Sequence, residues 1–121
     1  MLTCSLWPEN PRRSQQPDLP GGVIEPGEYI EDGLLREVRE ETSLEIVPSS
    51  LRMAHCSTYL DDVLSSNFMV YYAEIEEDQE VVLSWEHESY QWLTAKEILG
   101  LGMRQPYSQL FEYMATIGLL R

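Results

Sequence analysis

The stretch GGVIEPGEYIEDGLLREVREET, residues 21–42, decides the fold of this chain. Its Pro26-Gly27 pair suits the two central positions of a type II turn, because glycine accepts the positive φ that the second of them requires. Apolar residues then recur at a spacing of four, as on the buried face of a helix: Ile30, Leu34 and Val38. We therefore predict a turn followed at once by a helix that ends near Thr42.

Three glutamates share one narrow face of the predicted helix. At about 100° per residue, Glu40 lies about 60° to one side of Glu37, and Glu41 lies about 40° to the other. Such like charges destabilise a helix by roughly a few tenths of a kcal/mol per pair, and only Arg36 and Arg39 are near. A divalent cation such as magnesium or calcium would make the arrangement favourable, because these ions prefer carboxylate and carbonyl oxygens.

A solvated acidic face is the simpler interpretation of the segment REVREE taken alone. The residues before it favour a cation, because the two glycines and the Pro-Gly turn let the backbone approach the helix closely. They allow a main-chain carbonyl to reach the same ion. A calcium-binding loop of the EF-hand type is excluded, because no aspartate-rich loop of that pattern is present.

Length and composition indicate a globular protein that forms one domain over residues 1–121, with 43% hydrophobic residues. The two cysteines, Cys4 and Cys56, form neither a disulfide framework nor a zinc spacing, so we expect a reducing, cytoplasmic setting. No apolar run approaches the roughly 20 residues that span a bilayer, and the first residues do not resemble a secretion signal. We therefore expect no membrane insertion.

The net charge of −13, from 21 acidic and 8 basic residues, restricts the possible partners. Nucleic-acid backbones are repelled at long range, and the densest basic pair, Arg12 and Arg13, is too small to form a binding patch. We therefore expect no nucleic-acid partner. A small polyphosphate substrate would need a divalent cation to invert the sign of the local field.

The rest of the chain predicts strands interleaved with helices. Residues 2–7 suit one short strand and residues 8–20 a loop, because prolines are frequent there. After the helix, strand-like segments lie at 44–47, at 51–60 and, apolar on both faces like a central strand, at 67–76. VVLSW at 81–85 and SYQWL at 89–93 then precede a short helix with the capping-box pair Thr94 and Glu97, and a last helix opens near Pro106. This order predicts a mixed sheet with helices on both sides.

The segment from Gly22 to Leu44 resembles the Nudix box, the signature of Nudix hydrolases. The matching positions are Gly22, Glu28, Arg36, Glu37, Val38, Glu40, Glu41 and Leu44, with Ser43 where the family has glycine. The preceding LPGG and the later YQWLTAKEI are also similar to the family, and the resemblance extends from about Leu19 to the C-terminus.

This resemblance implies an α/β fold, an α/β/α sandwich with a mixed sheet, and hydrolysis of nucleoside diphosphates linked to another group. It implies Mg²⁺ as the cofactor, with Mn²⁺ as a substitute. Glu37 and Glu41 would be the principal metal ligands, Glu40 a further ligand or a residue that orients the attacking water, and the Gly21 carbonyl a main-chain ligand.

Glu28 and Arg36 would be the pair that braces the loop against the helix, with an ordinary surface ion pair as the alternative. Glu86 occupies the position of the loop glutamate that serves some members as general base, and a solvated turn residue is its alternative. His55 and His87 are isolated in the sequence, which favours structural roles for both.

Two departures from the family pattern lead to further expectations. Ser43 follows the helix where a C-terminal cap often needs positive φ, so either this residue is strained or the helix ends differently. Nudix domains generally place two strands before the box, whereas 20 residues precede Gly21, so we expect a shortened N-terminal region that lacks one strand. The unpaired edge would favour a homodimer.

The leading hypothesis is a magnesium-dependent pyrophosphohydrolase that acts on a nucleoside triphosphate or similar small nucleotide rather than on capped RNA. The alternative is a catalytically impaired Nudix domain that binds a nucleotide or a protein. The residues outside the box do not select a substrate. Trp7, Tyr59 and Trp85 are the candidates for stacking on a base.

Overall fold

The computed structural model describes residues 2–6, 17–60, 62–63, 65–101 and 107–118, with the backbone alone at 2–6, 17–18 and 59. Within these ranges the chain forms five strands, three α-helices and a short 3-10 turn at Pro48–Ser50. The elements are β1 (Leu2–Leu6), β2 (Pro17–Asp18), α1 (Ile30–Thr42), β3 (Arg52–Leu60), β4 (Ser65–Tyr72), β5 (His87–Trp92), α2 (Ala95–Leu99) and α3 (Tyr107–Thr116).

The strands form a three-stranded sheet in the order β2-β1-β5 and a two-stranded sheet of β3 and β4. In the described part of the chain every pair of strands is antiparallel, so the parallel component expected of a mixed sheet is not among these pairs. Two strands precede α1 rather than the one we expected. The second has only two residues, in keeping with a shortened N-terminal region.

The expected strand at 67–76 differs most from the structure. β4 begins earlier, at Ser65, and ends at Tyr72; Val70 is its only residue in the buried class. Of the described strands, only β3 pairs with it. The segment 44–47 contributes a single bridge, between Ile46 and Ile75.

Two apolar clusters hold the elements together. One surrounds α3 and consists of Val70, Ile98, Tyr107, Leu110, Phe111 and Met114. The other joins the end of α1 to later segments and consists of Val38 and Leu44, with Leu34, Ile46, Val81 and Leu83 packed against them. Burial of apolar surface thus fixes the loop at 81–83 against α1, and this contact positions the site described below.

α1 occupies Ile30–Thr42, as its apolar spacing predicts, and ends at Ser43 with φ 62° and ψ 12°. The Ser43 N–H donates to the carbonyl of Arg39 at 2.9 Å, which is the bond of a left-handed cap. Of the two alternatives for Ser43, the structure agrees with the first: the helix ends as expected and Ser43 has a strained backbone. A non-glycine residue in this conformation lowers the stability of the fold by about 1 kcal/mol.

The two helices nearer the C-terminus also agree with the predictions from sequence. Thr94 and Glu97 form the predicted capping box at the start of α2, and α3 begins at Tyr107, although Pro106 lies outside the described residues. No helix in the described part of the chain combines the length and apolar character that a membrane crossing requires.

Candidate active site

The loop before α1 contains the predicted turn. The Glu28 N–H donates to the carbonyl of Glu25 at 3.3 Å, and Gly27 has φ 86°. A positive φ at the third position agrees with a type II turn, for which glycine is the favoured residue. The turn reverses the chain directly before the first residue of α1.

The side chain of Glu28 joins this turn to the helix. Its two carboxylate oxygens accept hydrogen bonds from Arg36, at 3.1 Å from Nε and 2.8 Å from Nη2. Glu28 Oε1 also accepts the Glu25 N–H at 2.7 Å. The hydrogen bond from Arg36, followed by the one from Glu25, lowers the pKa of Glu28, and the pair raises the pKa of Arg36. The geometry is therefore a bidentate ion pair between loop and helix.

Gly33, on the same turn of α1, permits this contact. A β-carbon at Gly33 would lie 2.6 Å from Ile24 Cδ1 and 2.7 Å from Glu28 Oε1, closer than non-bonded atoms approach. Glycine in a helix costs roughly 1 kcal/mol relative to alanine. At this position it removes a steric obstacle between the loop and the helix.

Arg36 also reaches two of the helix glutamates. Its Nη1 lies 3.2 Å from Glu37 Oε1 and 3.1 Å from Glu40 Oε2. The Glu37 side chain is 17% exposed and that of Glu40 is 58% exposed. A β-carbon at Gly22 would lie 2.5 Å from Glu37 Cδ, so this glycine allows the backbone to pass directly over the Glu37 carboxylate.

Glu41 belongs to a different and more buried set of contacts. Its Oε2 accepts the Gly21 N–H at 2.9 Å and lies 3.5 Å from Nε2 of His87, and both side chains are at most 10% exposed. The sequence led us to expect the Gly21 carbonyl near a cation. The contact between Gly21 and Glu41 instead involves the N–H.

The residues that precede β5 bring a second carboxylate to Glu41. The loop at 81–84 runs along the end of α1, where the Val82 N–H donates to Thr42 O at 2.9 Å and the Ser84 N–H to Glu41 O at 3.0 Å. These bonds satisfy carbonyls that a helix leaves without intrahelical partners. They place Glu86 and His87 beside Glu41, so that one ligand atom from each of the three residues lies within 4.8 Å of the others.

The predicted site residues therefore fall into two groups, one around Arg36 and one around Glu41. The first contains Glu28, Glu37 and Glu40, and the second contains Gly21 and Glu86. His87 is the site residue that sequence reasoning missed. Its position directly after Glu86 was the available signal, but alternation along a strand gave no reason to place its ring against Glu41.

The remaining candidates contribute little to this site. Trp85 is 80% exposed and lies next to Glu86, where it remains available for stacking. His55 lies on β3 and is partly exposed, which agrees with a structural role. Trp7 and the side chain of Tyr59 lie outside the described residues.

The chemistry of the two groups suits a divalent cation. In the first group the guanidinium of Arg36 contacts Glu28, Glu37 and Glu40. In the second, Glu41 and Glu86 lie together beside His87, and Arg39 is paired elsewhere, with Glu45 at 2.6 Å. The excess of negative charge is repulsive until a cation enters, and carboxylate oxygens are the ligands that Mg²⁺ and Mn²⁺ prefer.

The site thus combines a loop, an acidic helix and a second loop that carries a carboxylate, on an α/β fold. A model of the NUDIX domain family matches residues 5–114, so the chain belongs to the Nudix hydrolase superfamily. Among curated relatives, the nucleoside triphosphatase NudI of Salmonella schwarzengrund is 30% identical over 88 residues, 66% of this chain and 62% of the relative. NudI of Escherichia fergusonii is 27% identical over 105 residues, 80% of this chain and 74% of the relative. The chain thus spans less than two thirds of the first relative's length.

Solved structures give the same fold. The MutT protein of Methanosarcina mazei Go1 superposes with a TM-score of 0.80 at 28% identity, over 97% of this chain and 83% of that chain. An Ap4A hydrolase of C. elegans, in a binary complex, has a TM-score of 0.72 at 18% identity, over 98% of this chain and 85% of that chain. These similarities confirm the α/β Nudix-like fold predicted from the sequence.

Proposed function

We propose that this protein is a Mg²⁺-dependent pyrophosphohydrolase that cleaves a nucleoside diphosphate linked to another moiety, with a nucleoside triphosphate or similar small nucleotide as substrate. The observation that carries the proposal is the approach of Glu86 and His87 to the buried carboxylate of Glu41, within 4.8 Å. A purely solvated acidic helix does not require a second carboxylate loop to be fixed against its buried end.

The family resemblance and the chemistry of the donor set support a particular set of metal ligands. Glu37, Glu40, Glu41 and the Gly21 carbonyl would hold Mg²⁺, with Mn²⁺ as a substitute. When bound, the cation would neutralise charge on the diphosphate and lower the pKa of the attacking water.

The side chains of the chain itself have distinct tasks in this proposal. Glu86 acts as the general base: it takes a proton from the attacking water as the new P–O bond forms. The anhydride P–O bond breaks, and the leaving phosphate keeps its electron pair. His87 holds Glu41 in place through the 3.5 Å contact, and Glu40 orients the water or supplies a further ligand.

Arg36 and Glu28 act by positioning rather than on the substrate. Their bidentate pair fixes the loop that contains Gly21 against α1. Arg36 also contacts Glu37 and Glu40, so it sets the directions of both carboxylates before a cation binds. Groups that orient metal ligands in this way typically contribute about 10- to 100-fold to metal affinity or activity.

Two considerations support a small nucleotide as substrate. The curated relatives are named nucleoside triphosphatases. The net charge of −13 opposes approach of a long polyanion such as capped RNA more strongly than that of a single nucleotide carried with its cation.

The test is release of phosphate or pyrophosphate from a panel of nucleotides with Mg²⁺, by the intact protein and by Glu41→Gln. We expect release by the intact protein and a loss of about 10³-fold or more in the variant, because an electrostatic contribution of several kcal/mol disappears with this carboxylate. No release from any nucleotide, with nucleotide binding retained, would instead favour the catalytically impaired binding module.

Two further expectations stay predictions. We propose that residues 1–121 form a single domain, which one cooperative unfolding transition would support.

We also propose a homodimer. The sequence favoured a dimer because one N-terminal strand was expected to be absent, and β2, with two residues, supplies only a short second strand there. A clean monomer by light scattering at micromolar concentration rejects the dimer.

A further inference from the structure

Ser43 occupies a position where the backbone disfavours it. Its φ of 62° lies in the left-handed region, where glycine is accommodated without the steric penalty that a side chain introduces. The serine also makes a contact that glycine cannot make: its Oγ donates to the carbonyl of Val82 at 3.1 Å. This hydroxyl therefore joins the cap of α1 to the loop that leads to Glu86.

Among the described residues, hydrogen bonds at Thr42 and Glu41 accompany the bond from Ser43 in connecting the end of α1 to this loop. These run in the opposite direction, from the N–H groups of Val82 and Ser84 to Thr42 O and Glu41 O, at 2.9 and 3.0 Å. Val82 thus both donates to α1 and accepts from its cap. The Val82 N–H and C=O belong to the two successive peptide units that flank its Cα, so the two bonds hold both units against the end of α1.

The same loop determines where His87 lies. The His87 N–H donates to Ser84 O at 3.2 Å, so the residues between them form a turn that begins at the fixed segment. Glu86 and His87 are far from α1 in the sequence. Their approach to Glu41 therefore depends on the contact between the loop at 81–84 and the end of α1. A shift of the loop along the helix would move both side chains away from the Glu41 carboxylate.

We infer that Ser43 is a positioning residue for the reaction, because its hydroxyl fixes the loop that presents Glu86 and His87 to Glu41. The inference rests on the proposed function for its catalytic consequence. Its structural part, the docking of the loop, can be measured without substrate or metal.

Two substitutions separate the hydroxyl from the backbone effect. Ser43→Gly removes the hydroxyl and relieves the left-handed strain, whereas Ser43→Ala removes the hydroxyl and keeps the strain. Ser50→Ala is the control, because Ser50 Oγ also donates to a backbone carbonyl, that of Val47 at 2.7 Å, and accepts the Glu74 N–H at 2.8 Å, so the substitution removes side-chain hydrogen bonds that do not involve the loop at 81–84.

The first measurement is hydrogen–deuterium exchange of peptides that cover residues 81–87, in metal-free buffer. We expect faster exchange in both Ser43 variants and unchanged exchange in Ser50→Ala. The second measurement is steady-state hydrolysis with Mg²⁺. We expect kcat to fall about three- to tenfold in both Ser43 variants, the range that one hydrogen bond supplies, with KM unchanged.

A purely structural role predicts a different pattern, in which activity follows thermal stability and Ser43→Gly is at least as active as the intact protein. That pattern, or unchanged exchange at 81–87 in both variants, overturns the inference. If the intact protein hydrolyses no nucleotide, the proposed function fails, and the exchange measurement still decides whether Ser43 fixes the loop.

Discussion

The two ends of α1 are attached to the rest of the molecule by different interactions. At its beginning, the loop at 21–28 is held by the ion pair between Glu28 and Arg36, whose side chains are 19% and 24% exposed. At its end, the loop at 81–84 is held by backbone hydrogen bonds and by the apolar cluster around Val38 and Leu44. The first attachment is electrostatic and local, and the second is buried and distant in sequence.

The two ends of α1 position different residues of the candidate site. The electrostatic end gathers the carboxylates of Glu37 and Glu40 around Arg36, where the Glu37 side chain is 17% exposed and that of Glu40 is 58% exposed. The buried end brings the exposed Glu86 to the buried side chains of Glu41 and His87, and electrostatic interactions are stronger around these two buried groups. We therefore expect the largest loss of kcat from substitutions at the buried end, and the clearest loss of stability from substitutions that disturb the loop attachment at the electrostatic end.

The largest effect in this comparison is expected for Glu86→Gln. If Glu86 is the general base, kcat should fall about 10²- to 10⁴-fold, because the amide cannot accept the proton. The free energy of unfolding should change little, since Glu86 is exposed. Steady-state hydrolysis and urea denaturation measure the two quantities.

Glu88→Gln is the control for this prediction, because Glu88 is also an exposed glutamate of the same segment but is not part of the group around Glu41. We expect it to retain the activity of the intact protein. Equal activity in the two variants would remove Glu86 from the mechanism and leave the helix glutamates as candidates for the base.

The local attachment was predictable from sequence, and the distant one was not. The turn at 25–28 and the span of α1 follow from spacings of four residues or fewer, which turn and helix geometry translate directly into distances. The pairing of Glu28 with Arg36, eight residues apart, was implied by the family resemblance. The contact between Ser43 and Val82 joins residues 39 positions apart. No local pattern fixes such a pairing, because it depends on how the apolar cluster packs.

The same reasoning explains the two main differences at the level of the fold. The segment 67–76 has the composition of a central strand, but pattern alone does not reveal how many neighbours a strand finds. The segment 81–85 is apolar like a strand, yet its N–H groups at Val82 and Ser84 bind the last carbonyls of α1. Both outcomes depend on tertiary contacts, and the second determines where Glu86 and His87 lie.

A smaller effect, on stability, is expected for Gly33→Ala at the electrostatic end. The added methyl group would lie within 2.7 Å of Ile24 Cδ1 and Glu28 Oε1, so both side chains must shift, and the shift of Glu28 disturbs its ion pair with Arg36. We expect a loss of about 1–3 kcal/mol in the free energy of unfolding, as overpacking typically produces. Urea denaturation in the presence of EDTA measures this loss.

Gly100→Ala is the control for steric crowding, because a β-carbon there would lie 3.4 Å from Glu97 O and 3.6 Å from Lys96 O. We expect that variant to be close to the intact protein in stability. A Gly33→Ala variant that is more stable by about 1 kcal/mol, as helix propensity alone would give, would show that the loop does not press on α1.

The smallest effect concerns the pH dependence of stability. Arg36 lowers the pKa of Glu28, so the folded state favours the ionised carboxylate more than the unfolded state does. The stabilisation is complete above the ordinary glutamate pKa, about 4.3, and is lost as the pH falls through the lowered folded pKa. The stability difference between the intact protein and Glu28→Gln should therefore be constant from about pH 6 to pH 5 and shrink below about pH 4.3.

A double-mutant cycle assigns this pH dependence to the pair, since Glu25, Glu37 and Glu40 also surround Arg36. In an Arg36→Gln background, Glu28→Gln should change stability by an amount that varies much less with pH, because the hydrogen bond that lowers the pKa of Glu28 is absent. A difference that stays flat in the intact background, or the same slope in both backgrounds, would mean that the loop is held by the turn and the apolar contact of Ile24. The two ends of α1 would then be attached by the same kind of interaction.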